Sequence, residues 1–184
     1  MRQFAITFMS LLILILAFSC FDKESPNHPV EVRFDLINES GELSSIFNEG
    51  EDIIFRYSII NNSSNPITVN NFQEVLGNNF MLVLESYRGD DGAMRKNVIG
   101  YPYDGIKIID VFGLEIKAYD SLVMQASWNG KMENTEFVHG FDIGYKPDRN
   151  SLSLGSYIVE FEHTITFAKY ESIHVRIEKD FEVF

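Results

Sequence analysis

From Tyr157 to Val183 the chain alternates. Tyr157, Val159, Phe161, Ile165 and Phe167 are interleaved with Glu160, Glu162, Thr164 and Thr166. After a break at Lys169-Tyr170-Glu171, Ile173, Val175 and Ile177 alternate with His174, Arg176 and Glu178, and Phe181 and Val183 continue the apolar face. A period of two places all apolar side chains on one side of a strand, whereas in a helix the same spacing would scatter them around the axis. Two long runs of this kind demand a sheet with one buried and one wet face.

The same reading extends upstream. Val30, Val32, Phe34 and Leu36 alternate with Glu31, Arg33 and Asp35, and Asp52 to Ile60 carries Ile53, Phe55, Tyr57 and Ile59 on one face. Ile54 and Ile60 make the other face of that second strand partly buried too. Asn61-Asn62-Ser63-Ser64-Asn65-Pro66 is dense in turn formers and reads as a loop. Further strands are expected over 67–72, 80–87, 106–112 and 121–128, with Arg88-Gly89-Asp90-Asp91-Gly92 as a hairpin tip. Segment 93–105 reads as irregular, and 130–155 as a surface excursion. With 16 Phe and 8 Tyr, composition favours strands. No amphipathic helix, internal repeat or low-complexity tract stands out. The expected class is all-β, an antiparallel sandwich of about seven to nine strands.

The N-terminus is of another kind. Met1-Arg2-Gln3 precedes an apolar run from Phe4 to Phe18, shorter than the roughly 20 residues of a membrane-spanning helix. Ala17 and Ser19 flank Phe18 just before Cys20, the single cysteine. A charged start, a short apolar centre and small residues at its end describe an export signal. Residues 1–20 resemble a bacterial lipoprotein signal, although Ala17 occupies the usual leucine position and Leu16 lies one place earlier. The resemblance implies cleavage after Ser19 and lipidation of Cys20. Acylation also disposes of a lone thiol that has no partner in an oxidising compartment. Two or three acyl chains hold a protein firmly at a bilayer. Phe21-Asp22-Lys23-Glu24-Ser25 is similar to a surface-export signal of one Gram-negative phylum. Residues 1–19 are therefore expected as signal peptide, 20–29 as acylated tether and 30–184 as the folded domain of an outer membrane lipoprotein. Its face is the cell surface or, failing that, the periplasmic side.

Removing residues 1–19 takes the formal charge from −12 to −13. Such a chain does not track phosphate backbones, so nucleic acid is excluded as a partner. The remaining length suffices for one core without disulfides.

Three segments resemble immunoglobulin-like domains of bacterial envelope proteins. They are Gly50-Glu51-Asp52-Ile53-Ile54-Phe55 running into Ile60-Asn61-Asn62-Ser63-Ser64-Asn65-Pro66-Ile67, then Ser121-Leu122-Val123 leading to Trp128, and Gly155-Ser156-Tyr157-Ile158-Val159. The order is similar to a family named for an intracellular proteinase inhibitor. The resemblance implies an immunoglobulin-like sandwich, a tyrosine corner at Tyr157 and, as an alternative function, regulation of an envelope peptidase. The family's glycine-containing segment is replaced here by Glu74-Val75-Leu76-Gly77-Asn78-Asn79.

Catalytic patterns do not assemble. His28, His139, His163 and His174 lack zinc-ligand spacing. His163 falls on the apolar face and reads as a core histidine with a local partner. Ser156 lacks a nucleophile elbow. Glu160 and Glu162 share a strand face but read as its wet side. Asp90, Asp91 and Asp104 match no calcium loop. No cofactor or metal is implied, and no enzyme. Arg88-Gly89-Asp90 is an adhesion-type tripeptide and equally a good turn. Asp120-Ser121-Leu122 resembles a short O-glycosylation site at Ser121. Tyr101, Tyr103, Phe137, Phe141 and Tyr145 lie in loop-rich stretches, where aromatics contact sugars or proteins; Trp128 reads as core. The functional expectation is a lipid-anchored binding module that meets an envelope protein or glycan through Arg88, Asp90, Tyr101, Tyr103, Phe141 and Tyr145.

Overall fold

A computed structural model describes residues 28–71, 75, 79–103, 105–108, 113–129, 141–144 and 150–184, with backbone alone at 105–108 and 141–144. Its named elements are all strands: β1 (Val30–Ile37), β2 (Ile46–Phe47), β3 (Ile54–Asn61), β4 (Ile67–Val69), β5 (Leu82–Arg88) and β6 (Met94–Gly100), followed by β7 (Gly105–Ile108), β8 (Leu114–Ile116), β9 (Ser121–Ser127), β10 (Phe141–Gly144), β11 (Gly155–Ile165) and β12 (Ile173–Val183). The fold is all-β.

Two larger sheets carry the core. One has the order β1-β3-β9, the other β2-β12-β11-β5-β6. Two short two-stranded sheets, β4-β8 and β7-β10, accompany them, and isolated bridges join Ile37 to Leu43 and Val69 to Phe167. Every neighbour in the larger sheets is antiparallel except β2, which runs parallel to β12. The chain thus leaves β1 in one sheet and reaches β2 in the other through the turn at Asn38. There Asn38 Oδ1 accepts hydrogen bonds from the amides of Ser40 and Glu42.

The inward faces meet through aromatic rings. Phe34 stands edge-on to Phe161 with centroids 5.2 Å apart, Tyr57 lies 5.9 Å from Phe161, and Phe55 lies 6.3 Å from Phe181. Each such pair adds about 0.5–1.5 kcal/mol beyond the area it buries. Leu36, Phe55, Tyr57, Ile59, Val83, Val159 and Ile165 are fully buried in the same cluster. The alternation read in β1, β11 and β12 is this face.

The Asn-rich loop after β3 is closed by a buried side chain. Asn61 Nδ2 donates to the carbonyls of Asn65 (2.8 Å), Ile116 (3.2 Å) and Lys117 (2.9 Å). Its Oδ1 accepts from the Ser63 amide (2.9 Å) and hydroxyl (2.7 Å). One amide thereby ties β3, its own loop and the end of β8 together.

Several expectations need correction. Segment 93–105, read as irregular, contains β6. Six of its seven residues are exposed, so no buried face imposes an alternation on Met94-Arg95-Lys96-Asn97-Val98-Ile99-Gly100. The strand expected over 67–72 ends at Val69, and β8 was not foreseen. The expected excursion at 130–155 includes β10, which pairs with β7.

Pairing registers define two ends. Val30, Asn61 and Ser121 share one end with Ile165, because Val30 pairs with Asn61, Ile60 pairs with Ser121, and the His28 ring packs at a tilt against Phe167, centroids 5.4 Å apart. Ile37, Ile54 and Ser127 share the other end with Gly155 and Val183. We call these the base and the crown. The eleven residues of β11 separate them by about 35 Å.

Candidate functional site

At the crown, β5 and β6 form a hairpin whose tip is the Arg-Gly-Asp-Asp-Gly stretch. The Gly89 amide donates to the Ala93 carbonyl (2.9 Å) and the Gly92 amide to the Gly89 carbonyl (2.8 Å). Gly92 takes φ +79°, the left-handed conformation that glycine adopts without strain. A Cβ at Gly89 would meet Asp91 Oδ1 at 2.8 Å and Arg95 Nε at 2.9 Å, so a larger residue there displaces the Asp91–Arg95 pair.

The second aspartate serves the turn. Asp91 Oδ1 accepts from the Ala93 amide (3.2 Å), and Oδ2 accepts from Arg95 Nη2 (2.9 Å). The Ala93 amide first, then Arg95, hold its carboxyl below the usual aspartate range. Arg88 and Asp90 are both exposed, and their side chains have no hydrogen-bond or ion-pair partner among the described residues. The hairpin therefore builds itself from Gly89, Asp91, Gly92 and Arg95 and leaves one cation and one anion facing outward.

Beside the hairpin lies a cleft of about 340 Å³ lined by Glu85, Ile99, Trp128, the 150–153 segment and Tyr157. Its wall is fixed from below. Asp52 is fully buried and accepts the Ser127 hydroxyl and the Asn129 amide (3.0 Å), while the Trp128 amide donates to the Ile53 carbonyl (2.9 Å). The 150–153 segment hangs on that wall: Trp128 Nε1 donates to the Asn150 carbonyl (3.2 Å) and the Tyr157 hydroxyl to the Ser153 carbonyl (2.8 Å). Burial, and secondarily the Glu85 charge, raise the Tyr157 hydroxyl pKa above its ordinary value, with the Ser153 contact opposing. Glu85 is half-buried on the core side of β5, opposite Tyr157, with no cationic partner among the described residues. Trp128 and Tyr157 are almost wholly covered, so they shape the cleft and offer no open ring. What the cleft presents is a carboxylate together with backbone and side-chain polar groups of 150–153. That set suits a hydroxyl-rich or cationic group.

The expected binding residues do not gather in one place. Arg88 and Asp90 are at the crown. Tyr103 is buried, and its hydroxyl donates to the Phe80 carbonyl at 2.5 Å, with burial first and the nearby Tyr101 second pushing its pKa up. Tyr101 is half-covered, donates to Asn79 Oδ1 (2.8 Å) and lies against Tyr103, toward the middle of the molecule. Both tyrosines thus brace the loop before β5, which corrects Tyr103 as an exposed contact. Phe141 opens strand β10, paired with Ile108, and is not on a loop. Tyr145, Phe137, Asp104, His139 and Cys20 lie outside the described residues. Ser121 is exposed at the base, where its amide donates to Asp120 Oδ1 (2.8 Å).

The histidines and acid pairs behave as fold elements. His163 is buried among Tyr57, Phe80 and Phe161 and shares a 2.6 Å hydrogen bond with the Tyr57 hydroxyl through Nε2. Glu160 takes Lys96 Nζ at 2.6 Å, whereas Glu162 takes His174 at 3.3 Å, so the two carboxylates are engaged separately. Among the described residues no three acidic, histidine or cysteine side chains could hold a metal.

No family model matches the chain. Nor does any curated protein. Two solved structures bear a slight likeness. One is an alkylpurine DNA glycosylase of Pseudomonas fluorescens bound to DNA containing an abasic site analogue, at 12% identity and a TM-score of 0.30, covering 84% of this chain and 30% of that one. The other is a target of the Northeast Structural Genomics Consortium, at 9% identity and a TM-score of 0.29, covering 86% of this chain and 89% of that one. Likenesses this slight carry no argument about activity.

Glu85 and the 150–153 segment are absent from the sequence expectations. Glu85 did carry a signal: it is a carboxylate at an inward position of an alternating strand, between Val83 and Tyr87. The 150–153 segment carried none, because only its hydrogen bonds to Trp128 and Tyr157 give it a shape.

Proposed function

We propose that the protein is a non-enzymatic, lipid-anchored interaction module of the bacterial envelope, an immunoglobulin-like β-sandwich tethered through Cys20 to the outer membrane and facing the cell surface. It meets a protein or glycan partner through its crown. The strand order supports the immunoglobulin-like reading. The sheet β1-β3-β9 corresponds to strands A, B and E, and β2-β12-β11-β5-β6 to A′, G, F, C and C′. Tyr157 near the start of β11, bonding backwards to Ser153, has the position and bond of a tyrosine corner.

The observation that carries the functional reading is polarity along the molecule. His28, the described residue nearest Cys20, is held at the base: its Nε2 lies 3.1 Å from the Glu171 carbonyl and its ring packs on Phe167. Arg88, Asp90 and the Glu85 cleft stand at the opposite end, about 35 Å away. A lipid attached upstream of the base leaves the crown pointing outward. Loops on a rigid sheet scaffold are the usual carriers of binding residues.

The test is capture of envelope proteins and a glycan array with the full chain, beside an Arg88→Ala/Asp90→Ala double variant and Glu85→Gln. Capture of a saturable partner that falls at least about tenfold in one of these variants is the expected result. Equal capture by all three chains overturns the assignment of the crown.

A further inference from the structure

The outward face of the β1-β3-β9 sheet carries a pit between base and crown, and the registers explain its place. β3 is the middle strand. Ser58 stands between Arg33 of β1 and Val123 of β9, and the next row sets Arg56 between Asp35 and Gln125. A serine ringed by longer side chains leaves a hollow, here of about 370 Å³, with Ile60 completing the wall. Small-ligand sites span about 300–1,000 Å³.

Two groups in the pit are uncommitted. Ser58 is only 7% exposed, yet its hydroxyl has no hydrogen-bond partner among the described residues. Nor is it sealed in. Among the described residues the one side-chain polar atom both sealed and unpartnered is His163 Nδ1, so Ser58 Oγ opens into the pit. Buried polar groups ordinarily find a partner in protein, water or ligand. Arg56 is the second. Its Nε donates to Gln125 Oε1 at 2.5 Å, which leaves both Nη groups without a partner among the described residues and the Gln125 Nε2 amine as a neighbouring donor. Asp35, opposite Arg56 across the strands, is drawn instead to Lys179 at 3.9 Å, and Arg33 is held by Glu31 at 2.5 Å.

The chemistry of an occupant follows from this set. Arg33, Arg56 and Lys179 against Glu31 and Asp35 make three cations to two carboxylates, in a chain of formal charge −12. The local excess matches a single negative charge; the second charge of a phosphate would face Asp35. The free edge of one guanidinium takes a planar carboxylate through two parallel N–H···O bonds. Ser58 Oγ donates and accepts, and Asp35 accepts, which suits hydroxyl groups. Ile60 and Val123 offer an aliphatic wall to C–H bonds. We propose that this pit binds a uronic-acid residue of a glycan. Its carboxylate lies on Arg56, its hydroxyls on Ser58 and Asp35, and a C–H face of its ring against Ile60 and Val123. The site is separate from the crown and does not depend on what the crown binds.

The test titrates the isotope-labelled full chain in detergent with the methyl glycosides of D-glucuronate and D-galacturonate and follows amide shifts. Saturable shifts confined to β1, β3 and β9 are expected, with affinity at least about tenfold above that for methyl glucoside, acetate or inorganic phosphate. Arg56→Gln removes the cation, and Gln125→Glu gives the guanidinium a carboxylate from the chain itself; each should weaken uronate binding at least about tenfold. Ser58→Val fills the pit with a residue that suits a strand and should do the same. Arg88→Ala/Asp90→Ala should bind uronate as the wild type does, which separates failure here from failure at the crown. No saturable shift with either uronate up to about 20 mM overturns the proposal. So does an affinity matched by acetate or methyl glucoside, or one that survives both Arg56→Gln and Gln125→Glu.

Discussion

Acidification should weaken the fold through one ring. Burial first, and then the charge of His174, lower the His163 pKa from the usual 6.5 to about 4. An unfolded chain takes up the proton near its ordinary value, so between those limits the unfolded state binds more protons than the folded one. Stability contributed by neutral His163 is therefore complete above pH 6.5 and is lost as the pH falls toward 4. Integrated from pH 7 to pH 5 the loss is about 2 kcal/mol, and water reaching the ring trims it to about 1–2 kcal/mol. The perturbation is the double variant Tyr57→Phe/His163→Phe, which removes both ends of the 2.6 Å hydrogen bond and leaves no orphaned hydroxyl. Urea unfolding at pH 7 and pH 5, followed by the fluorescence of the single tryptophan, gives the difference directly. The wild-type chain should lose about 1–2 kcal/mol more than the variant over that interval, since the other titrating groups are common to both. Parallel losses in the two proteins would refute the reasoning.

Asn61→Ala should cost about 3 kcal/mol, read from the same unfolding curves, because several backbone groups lose their shared side-chain partner inside the protein. Tyr157→Phe removes the bond to the Ser153 carbonyl and should cost about 1 kcal/mol, with faster amide exchange confined to 150–153. Labelled palmitate should enter the wild-type chain and be absent from Cys20→Ser; an unlabelled wild type removes the anchor from the proposed function. Mass spectrometry of the native protein should find any O-glycan on the Asp120-Ser121-Leu122 site at Ser121, and a bare Ser121 dismisses that modification.

How much was legible follows from what each residue answers to. Phe34, Tyr157, Phe161 and Phe181 answer to a buried face, and that requirement writes itself into the sequence as a period of two. The hairpin at Arg88 to Gly92 was equally plain, because turn geometry restricts residue type locally. β6 buries no face, so Met94 to Gly100 carries no period. Tyr103 shows the opposite failure: a tyrosine among glycines and Pro102 looks exposed, yet its hydroxyl finds the Phe80 carbonyl and its ring enters the core. The crown cleft was hidden because it joins Glu85, Trp128 and Ser153, and only the sheet registers bring them together. His163 was foreseen as a core ring; its partner, Tyr57, lies 106 residues away and could not be.

The separation of base from crown has a mechanical consequence. Under the proposed function, a tug between the lipid anchor and a captured partner is directed lengthwise along β1, β3, β11 and β12. Pulled that way, neighbouring strands slide past one another in shear, and many ladder bonds must yield together rather than peel in turn like a zipper. Strands that run from base to crown thus make the body a tie that bears lengthwise tension.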